Sequence, residues 1–224
     1  MLILGTDTSQ KAATAALMKD GEIICEYTLN IDNTHSEKFL PLIEKMLSDT
    51  SLGYSDIDVF ACGLGPGSFT GIRIGVATIK GLAGALDKKT VGVSSLLALG
   101  YNAQGFGKLI VPTIYARADE VFCAAYSNDM KEVLSPAVMK ITELTEHFKG
   151  KEALFIGDGA IKFKEQIEME KGFSVAPQSL SIMRGSSVCK AAEKLVNNGD
   201  FTDYTHLAPV YLRKSQAERE YENK

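Results

Sequence analysis

The 224-residue, 24.2 kDa chain is 45% hydrophobic and 23% charged, an ordinary globular composition that excludes a largely disordered protein and allows one large domain or two small ones. A net charge of −4 and a pI near 5.5 argue against unaided nucleic-acid binding, which draws on clustered Lys and Arg. No run approaches the ~20 apolar residues of a membrane span, and the amino terminus reads as a strand carrying Asp7 rather than as a signal peptide, so a cytoplasmic protein is expected.

In chain order, residues 2–8 form a short apolar strand ending in the polar turn Asp7-Thr8-Ser9. Alternation through Ala13, Ala15 and Leu17, then Asp20-Gly21, predicts a tight hairpin into a third strand at 22–29. Thr34 and Glu37 have capping-box spacing, and Phe39, Leu40, Ile43, Met46 and Leu47 recur at helical spacing, so a helix is expected over about 35–48, bent at Pro41. A strand at 59–64, a glycine-rich loop, a helix at 71–86, a strand at 90–93 and a helix starting near Ser94 or Ser95 follow.

The second half repeats this grammar. Strands are expected at 109–114, 121–127 and 132–141, the last after an Asn128-Asp129 turn. A helix at 142–148, a strand at 153–156, a helical stretch at about 160–169 and a strand at 173–175 come next. A last helix capped by Ser186 or Ser187 stops at Asn198-Gly199. Three antiparallel strands continued by helical crossovers, written twice, predict an α/β fold of two tandem ribonuclease-H-like lobes, the actin-like ATPase architecture. The expected segments are a first lobe at 1–104, a second at 105–207 and a tail at 208–224 packing back on the first lobe.

Three places are candidates for chemistry. At Asp7-Thr8-Ser9 an actin-like ATPase would carry Asp-x-Gly to wrap a phosphate and hold a metal; here Ser9 replaces that Gly, and Asp7 reads either as a weakened phosphate-loop acid or as a turn residue bonding local amides. The loop Gly65-Pro66-Gly67-Ser68-Phe69-Thr70-Gly71 is no Walker A motif, because no Lys-Ser or Lys-Thr follows. Its amides at a helix start, with Ser68 and Thr70, favour either an anion or a purely structural turn. Asp7, Gly67, Ser68 and Thr70 are therefore the candidate cofactor-binding residues. Metal chemistry has little support: His35, His147 and His206 form no H-x-x-x-H pair, and Cys25, Cys62, Cys123 and Cys189 lie far apart and read as reduced thiols.

The helix after the loop places Ile72, Val76, Ile79, Ala83 and Leu86 on one face and Gly71, Gly75, Thr78, Leu82 and Ala85 on a neighbouring one, with only Arg73 and Lys80 charged. A helix apolar nearly all round is buried on more than one side, either in its own core or against a partner.

The run GPGSFTGIRIG at 65–75 resembles the TsaB family, also called YeaZ, a paralogue of TsaD. ILGTDTS at 3–9, THSEKFLPLI at 34–43, KGLAGAL at 80–86, VGVSSLLAL at 91–99, ARADEVF at 116–122 and PVYLRKSQAE at 209–218 are in family order. The resemblance implies a non-catalytic, activating subunit of the bacterial complex that forms N6-threonylcarbamoyladenosine on tRNA. In it TsaD is the catalytic partner, TsaE an ATPase engaged through the complex, and tRNA is met only indirectly. The implied contact runs through the first-lobe helices, here His35, Phe39, Leu40, Ile43, Ile72, Arg73, Val76, Ile79, Lys80 and Ala83, with a homodimer expected when the chain is alone. Aspartate at Ile79 or Phe39 is then expected to abolish pairing. No catalytic residue, metal or obligatory cofactor is implied, ATP or ADP being a candidate ligand of the complex interface. Tyr115 stands where the family commonly has Asp, which weakens the alternative of an active actin-like ATPase or kinase.

Overall fold

The computed structural model describes residues 1–31 and 35–213. Strands β1 (Leu2–Asp7), β2 (Ala12–Lys19) and β3 (Glu22–Asn30) open the chain. The β2–β3 hairpin turns at Asp20 and Gly21, both at positive φ (51° and 87°), the conformation the Asp-Gly dipeptide favours. Helix α1 (His35–Asp49), β4 (Val59–Gly63), α2 (Phe69–Leu86), β5 (Lys89–Val93) and α3 (Ser95–Tyr101) complete the first half. The capping box expected at Thr34 lies outside the described residues. Strands β6 (Leu109–Arg117), β7 (Glu120–Tyr126) and β8 (Glu132–Lys140) then precede α4 (Ile141–Phe148) and β9 (Ala153–Ile156). The helical stretch near 160–169 is two short helices, α5 (Asp158–Lys162) and α6 (Lys164–Glu168), parted at Phe163, followed by β10 (Phe173–Val175) and α7 (Gly185–Asn197).

The strand order is β3-β2-β1-β4-β5 in one sheet and β8-β7-β6-β9-β10 in the other, so the repeat is topological. In each, the first strand pairs antiparallel with the second and parallel with the fourth. This is the expected two-lobed α/β architecture.

The packing units differ from the sequence segments. Helix α7 covers β1 and β2 of the first sheet although it comes from the second segment, and α3 lies on β6 and β7 of the second. Ile3, Met18 and Val59 of the first sheet, Leu96 and Leu99 of α3, Ile110 and Phe122 of the second sheet and Val188 of α7 belong to one buried cluster. The facing sides of the two sheets thus share a core with α3 and α7 inside it. Separate clusters lie beneath α1 and α2 and beneath α4 to α6.

Docking of α7 depends on two glycines. A Cβ on Gly5 would stand 2.6 Å from Cys189 Sγ and 2.8 Å from the Gly185 carbonyl oxygen, and one on Gly185 would stand 2.5 Å from the Ala16 amide nitrogen. Helix and sheet therefore meet backbone to backbone. The expected serine cap is absent: Gly185 N–H donates to Thr14 Oγ1 at 2.9 Å, and Ser186 N–H and Oγ–H both donate to Glu26 Oε1 at 2.9 Å. The first sheet caps a helix some 160 residues further along the chain, with a carboxylate at the positive end of its dipole.

Residues 200–213 return along the first lobe. Thr202 bridges Thr90, Lys80 Nζ donates to the Thr205 carbonyl at 2.7 Å, and Val210 N–H donates to the Leu64 carbonyl at 2.8 Å. Tyr211 stacks on Phe69 at 4.7 Å and accepts from Arg73 Nε at 2.8 Å. The rest of the tail, 214–224, lies outside the described residues.

Because the atoms facing Gly5 and Gly185 are backbone or fully buried, they cannot yield to a methyl group. Gly5→Ala and Gly185→Ala are each expected to lower unfolding free energy by about 1–3 kcal/mol, read from urea midpoints; unchanged midpoints would mean that α7 docks with more clearance.

Candidate functional site

A cleft of about 610 Å³ opens between the lobes. The first lobe lines it with Ser9, Gln10 and Lys11 after β1, with His35, and with Gly67, Ser68 and Thr70 at the start of α2; the second lobe adds Ile114, Tyr115 and Asp158. A neighbouring chamber of about 410 Å³ shares Gln10, Lys11, Tyr115 and Asp158. Three of the four candidate cofactor residues, Gly67, Ser68 and Thr70, are thus brought together at the cleft. The fourth is not.

Asp7 is fully buried beneath the cleft floor. Its Oδ1 accepts the Ser9 N–H at 2.7 Å and its Oδ2 accepts the Ser95 hydroxyl at 2.7 Å, tying β1 to the start of α3. A Cβ on Gly63 would overlap the carboxylate at 1.9 Å. Of the two roles open to Asp7, the geometry is that of a turn acid bonding local groups. Burial pushes its pKa above the ordinary 3.8, and the hydrogen bonds from Ser9 and Ser95 oppose that shift.

The loop's glycines face the chain itself. Cβ atoms on Gly67, Gly71 and Gly75 would stand 2.1 Å from the Ser9 carbonyl oxygen, 2.1 Å from the Thr8 carbonyl oxygen and 2.4 Å from Thr8 Oγ1. Thr8 Oγ1 donates to the Gly71 carbonyl at 2.7 Å, and Ser68 N–H donates to the Ser9 carbonyl at 2.7 Å. Glycine at every fourth position lets α2 lie against the Thr8-Ser9 turn. Ser68 caps the helix, its Oγ accepting the Gly71 N–H at 3.2 Å.

Across the cleft, Tyr115 is held as an aromatic wall. Lys162 Nζ sits 4.2 Å from its ring centroid and the Phe163 ring 6.3 Å away. Asp158 Oδ1 accepts the Tyr115 N–H at 2.9 Å, and desolvation raises the Asp158 pKa. His35 Nε2 donates to the Gln10 carbonyl at 2.9 Å, while His147 lies on α4 and His206 beside Asp203. Ser9 Oγ and Gln10 Nε2 are buried without a hydrogen-bond partner among the described residues.

The candidate partner surface divides. Phe39, Ile43, Ile72, Val76, Ile79 and Ala83 are at most 4% exposed and form the core beneath α1 and α2. They are not a surface, because the periodic apolar face of α2 is spent on β4 and α1. Aspartate at Phe39 or Ile79 would therefore break the fold rather than test a contact. Leu40 and Arg73 are exposed, and His35 and Lys80 half-buried. The stripe that faces outward was not singled out by periodicity: Arg73, Ala77, Gly81 and Ala85, flanked by half-buried Ile74, Thr78 and Leu82. Gly81 has nothing within 4 Å of its would-be Cβ. Over its 18 residues α2 is apolar enough to cross a membrane by composition, yet only 33% of it is buried.

The shifted Asp7 gives a test by linkage. A carboxyl whose folded pKa lies above its unfolded value binds more protons folded than unfolded, so its contribution to stability falls as pH rises from 3.8 through the raised value. The stability of Asp7→Asn relative to wild type is therefore expected to improve across that window and then level off. A difference independent of pH, measured by urea unfolding from acid to neutral, would contradict the shift.

The family described as "TsaD: tRNA N6-adenosine threonylcarbamoyltransferase" matches residues 22–221. Two relatives are each named "tRNA threonylcarbamoyladenosine biosynthesis protein TsaB". One, from Bacillus subtilis, is 30% identical with 99% of this chain and 98% of the relative covered. The other, from Escherichia coli, is 28% identical with 97% and 96% covered. Among solved structures, YeaZ from Pseudomonas aeruginosa superposes with a TM-score of 0.80 at 25% identity, covering 94% of this chain and 99% of that one. An ADPNP-bound dehydratase activator from Clostridium difficile, at TM-score 0.51 and 11% identity over 91% of this chain and 99% of that one, shares the fold. With a full-length TsaB relative at 30% identity and a TsaD match over most of its length, the chain belongs to the TsaB family, a branch of the wider TsaD family.

Proposed function

We propose that the chain is an activating, non-catalytic subunit of the tRNA threonylcarbamoyladenosine machinery, and that it binds the TsaD-type transferase through the outward stripe of α2. One observation carries this reading: an 18-residue apolar helix is only one-third buried, and its exposed stripe is built from Ala77, Gly81 and Ala85. Small residues on an exposed stripe admit another helix at close range, where dispersion and apolar burial accumulate. Arg73 at one end and Leu40 on neighbouring α1 supply a polar and an apolar contact at its edges. A second copy of the chain fits the same stripe, and a homodimer of the isolated protein through it is part of this reading. The TsaE-type ATPase and the tRNA then meet this chain only through the assembled complex, which agrees with the acidic net charge of −4. A cytoplasmic location follows from that role.

The cleft supports the non-catalytic half of the reading. Its residues fit an anion: Ser68, Thr70 and the first amides of α2 converge there, with Ser9 Oγ and Gln10 Nε2 in need of partners. They do not fit a metal-bound nucleotide. The first-lobe acid that would hold the ion, Asp7, is turned beneath the floor onto Ser95, and the facing turn offers the Tyr115 ring. No hydrolytic step is derived through such a group. ATP or ADP remains a ligand to be sought at the complex interface. Steady ATP turnover by the isolated chain, lost in Asp7→Ala, would instead favour an active actin-like ATPase.

The stripe is testable without disturbing the core. Gly81→Ala is expected to stabilise the isolated chain by about 0.5–1 kcal/mol, since its Cβ enters open space on a helix. Gly81→Leu, expected to melt at or above wild type for the same reason, and Ala77→Glu, expected to stay folded, should both lose co-elution with the transferase subunit. Retained co-elution in both would overturn the docking assignment.

A further inference from the structure

A second cavity, of about 250 Å³, lies on a different set of elements from the interlobe cleft. It is formed by α3, by α7 and by the β7–β8 hairpin, so one wall belongs to the helix that covers the first sheet and another to the second sheet. Its interior is apolar: Leu97, Tyr101, Tyr126, Met130 and Leu195 face it, with the two tyrosines 8% and 3% exposed. Ser94 Oγ is buried in the wall beside Tyr126.

The mouth carries opposite charges. Lys194 from α7 and Glu132 from the start of β8 line the cavity and are exposed. They form no ion pair with one another among the described residues. Lys194 Nζ lies 3.5 Å from the Asp129 carbonyl oxygen, and Glu132 Oε1 accepts from Ser135 Oγ at 2.5 Å, contacts that leave each charge on its own element. An apolar interior behind one cation and one anion matches a zwitterion with a large apolar side chain. The volume is below the ~300–1,000 Å³ of drug-sized sites, which limits the occupant to a small metabolite.

We propose that this cavity binds a free α-amino acid with a large apolar or aromatic side chain. Lys194 meets the carboxylate, Glu132 meets the ammonium group, and the side chain enters between Tyr101, Tyr126 and Leu97. A bound amino acid would bridge α7 and the β7–β8 hairpin, and so brace the two sheets against each other.

The test is equilibrium binding to the full chain by ligand-observed NMR and calorimetry. The probes are L-leucine, L-phenylalanine and L-tyrosine, with glycine, phenethylamine and 3-phenylpropionate as controls. Saturable binding of the large apolar amino acids at or below about 1 mM is expected, with none for glycine and at least ~10-fold weaker binding of the two phenyl compounds that lack one charge. Lys194→Ala and Glu132→Ala, both surface changes, are each expected to weaken binding ~10-fold with melting unchanged. Leu97→Trp, which fills the cavity and adds the chain's first tryptophan as a fluorescent reporter of folding, is expected to abolish it. The proposal is overturned by no binding at 10-fold higher concentration, by equal binding of the singly charged analogues, or by binding that survives in folded Leu97→Trp.

Discussion

The contact between α7 and the first sheet is the constraint on which the rest of the structure depends. Gly5 and Gly185 allow helix and strand to touch through their backbones, and Thr14 and Glu26 supply the partners that the helix start lacks in its own sequence. This docking draws the end of the chain back to its beginning and places α3 and α7 together between the two sheets. A change that loosens it is felt in both halves, because the buried cluster it closes holds residues of both sheets. The return of residues 200–213 along α2 follows from the same geometry: the exit of α7 delivers the chain to the edge strand β5.

Within that frame the glycine-rich loop and the helix behind it have exchanged the weight that a nucleotide-binding fold would give them. Gly67, Gly71 and Gly75 are spent on close approach to Thr8 and Ser9, and Asp7 is spent on Ser95. What remains at the cleft is a set of hydrogen-bonding groups facing an aromatic wall, with no first-lobe acid lining it among the described residues. The same glycine spacing that seats α2 against β1 leaves its far side lined with Ala77, Gly81 and Ala85. Apart from Arg73, the exposed positions of α2 are small residues, whereas the exposed large apolar side chains, such as Ile24, Leu40, Val133 and Met169, are scattered over both lobes.

Much of this was legible in the sequence because the signals were local. The Asp20-Gly21 hairpin, the alternating strands and the two helices of the first lobe carry their own periodicity, and the repeated element order foretold the two sheets. The motif at 65–75 identified the family. The missing parts were long-range. Nothing near Gly185 announces that its amide is capped by Thr14, so the serine cap expected at the start of α7 was misplaced, and the lobe boundary drawn at residue 104 separated helices that pack together. The burial of most residues expected at a partner contact has a related reason. Periodicity finds the most apolar stripe of α2, Ile72, Val76, Ile79 and Ala83, and in a sheet-packed helix that stripe goes to the core. The small-residue stripe beside it has no periodic signal strong enough to stand out, and only burial separates the two.

Hydrogen-exchange footprinting of the chain alone and mixed with a TsaD-type subunit reads directly whether the proposed docking covers the outward stripe of α2. Slowed exchange over α2 (Phe69–Leu86) and the adjoining face of α1, with the cleft turns at Ser9 to Lys11 and Tyr115 to Arg117 unchanged, is the predicted result. Protection confined to those cleft turns, with α2 exchanging as it does in the free chain, would contradict it.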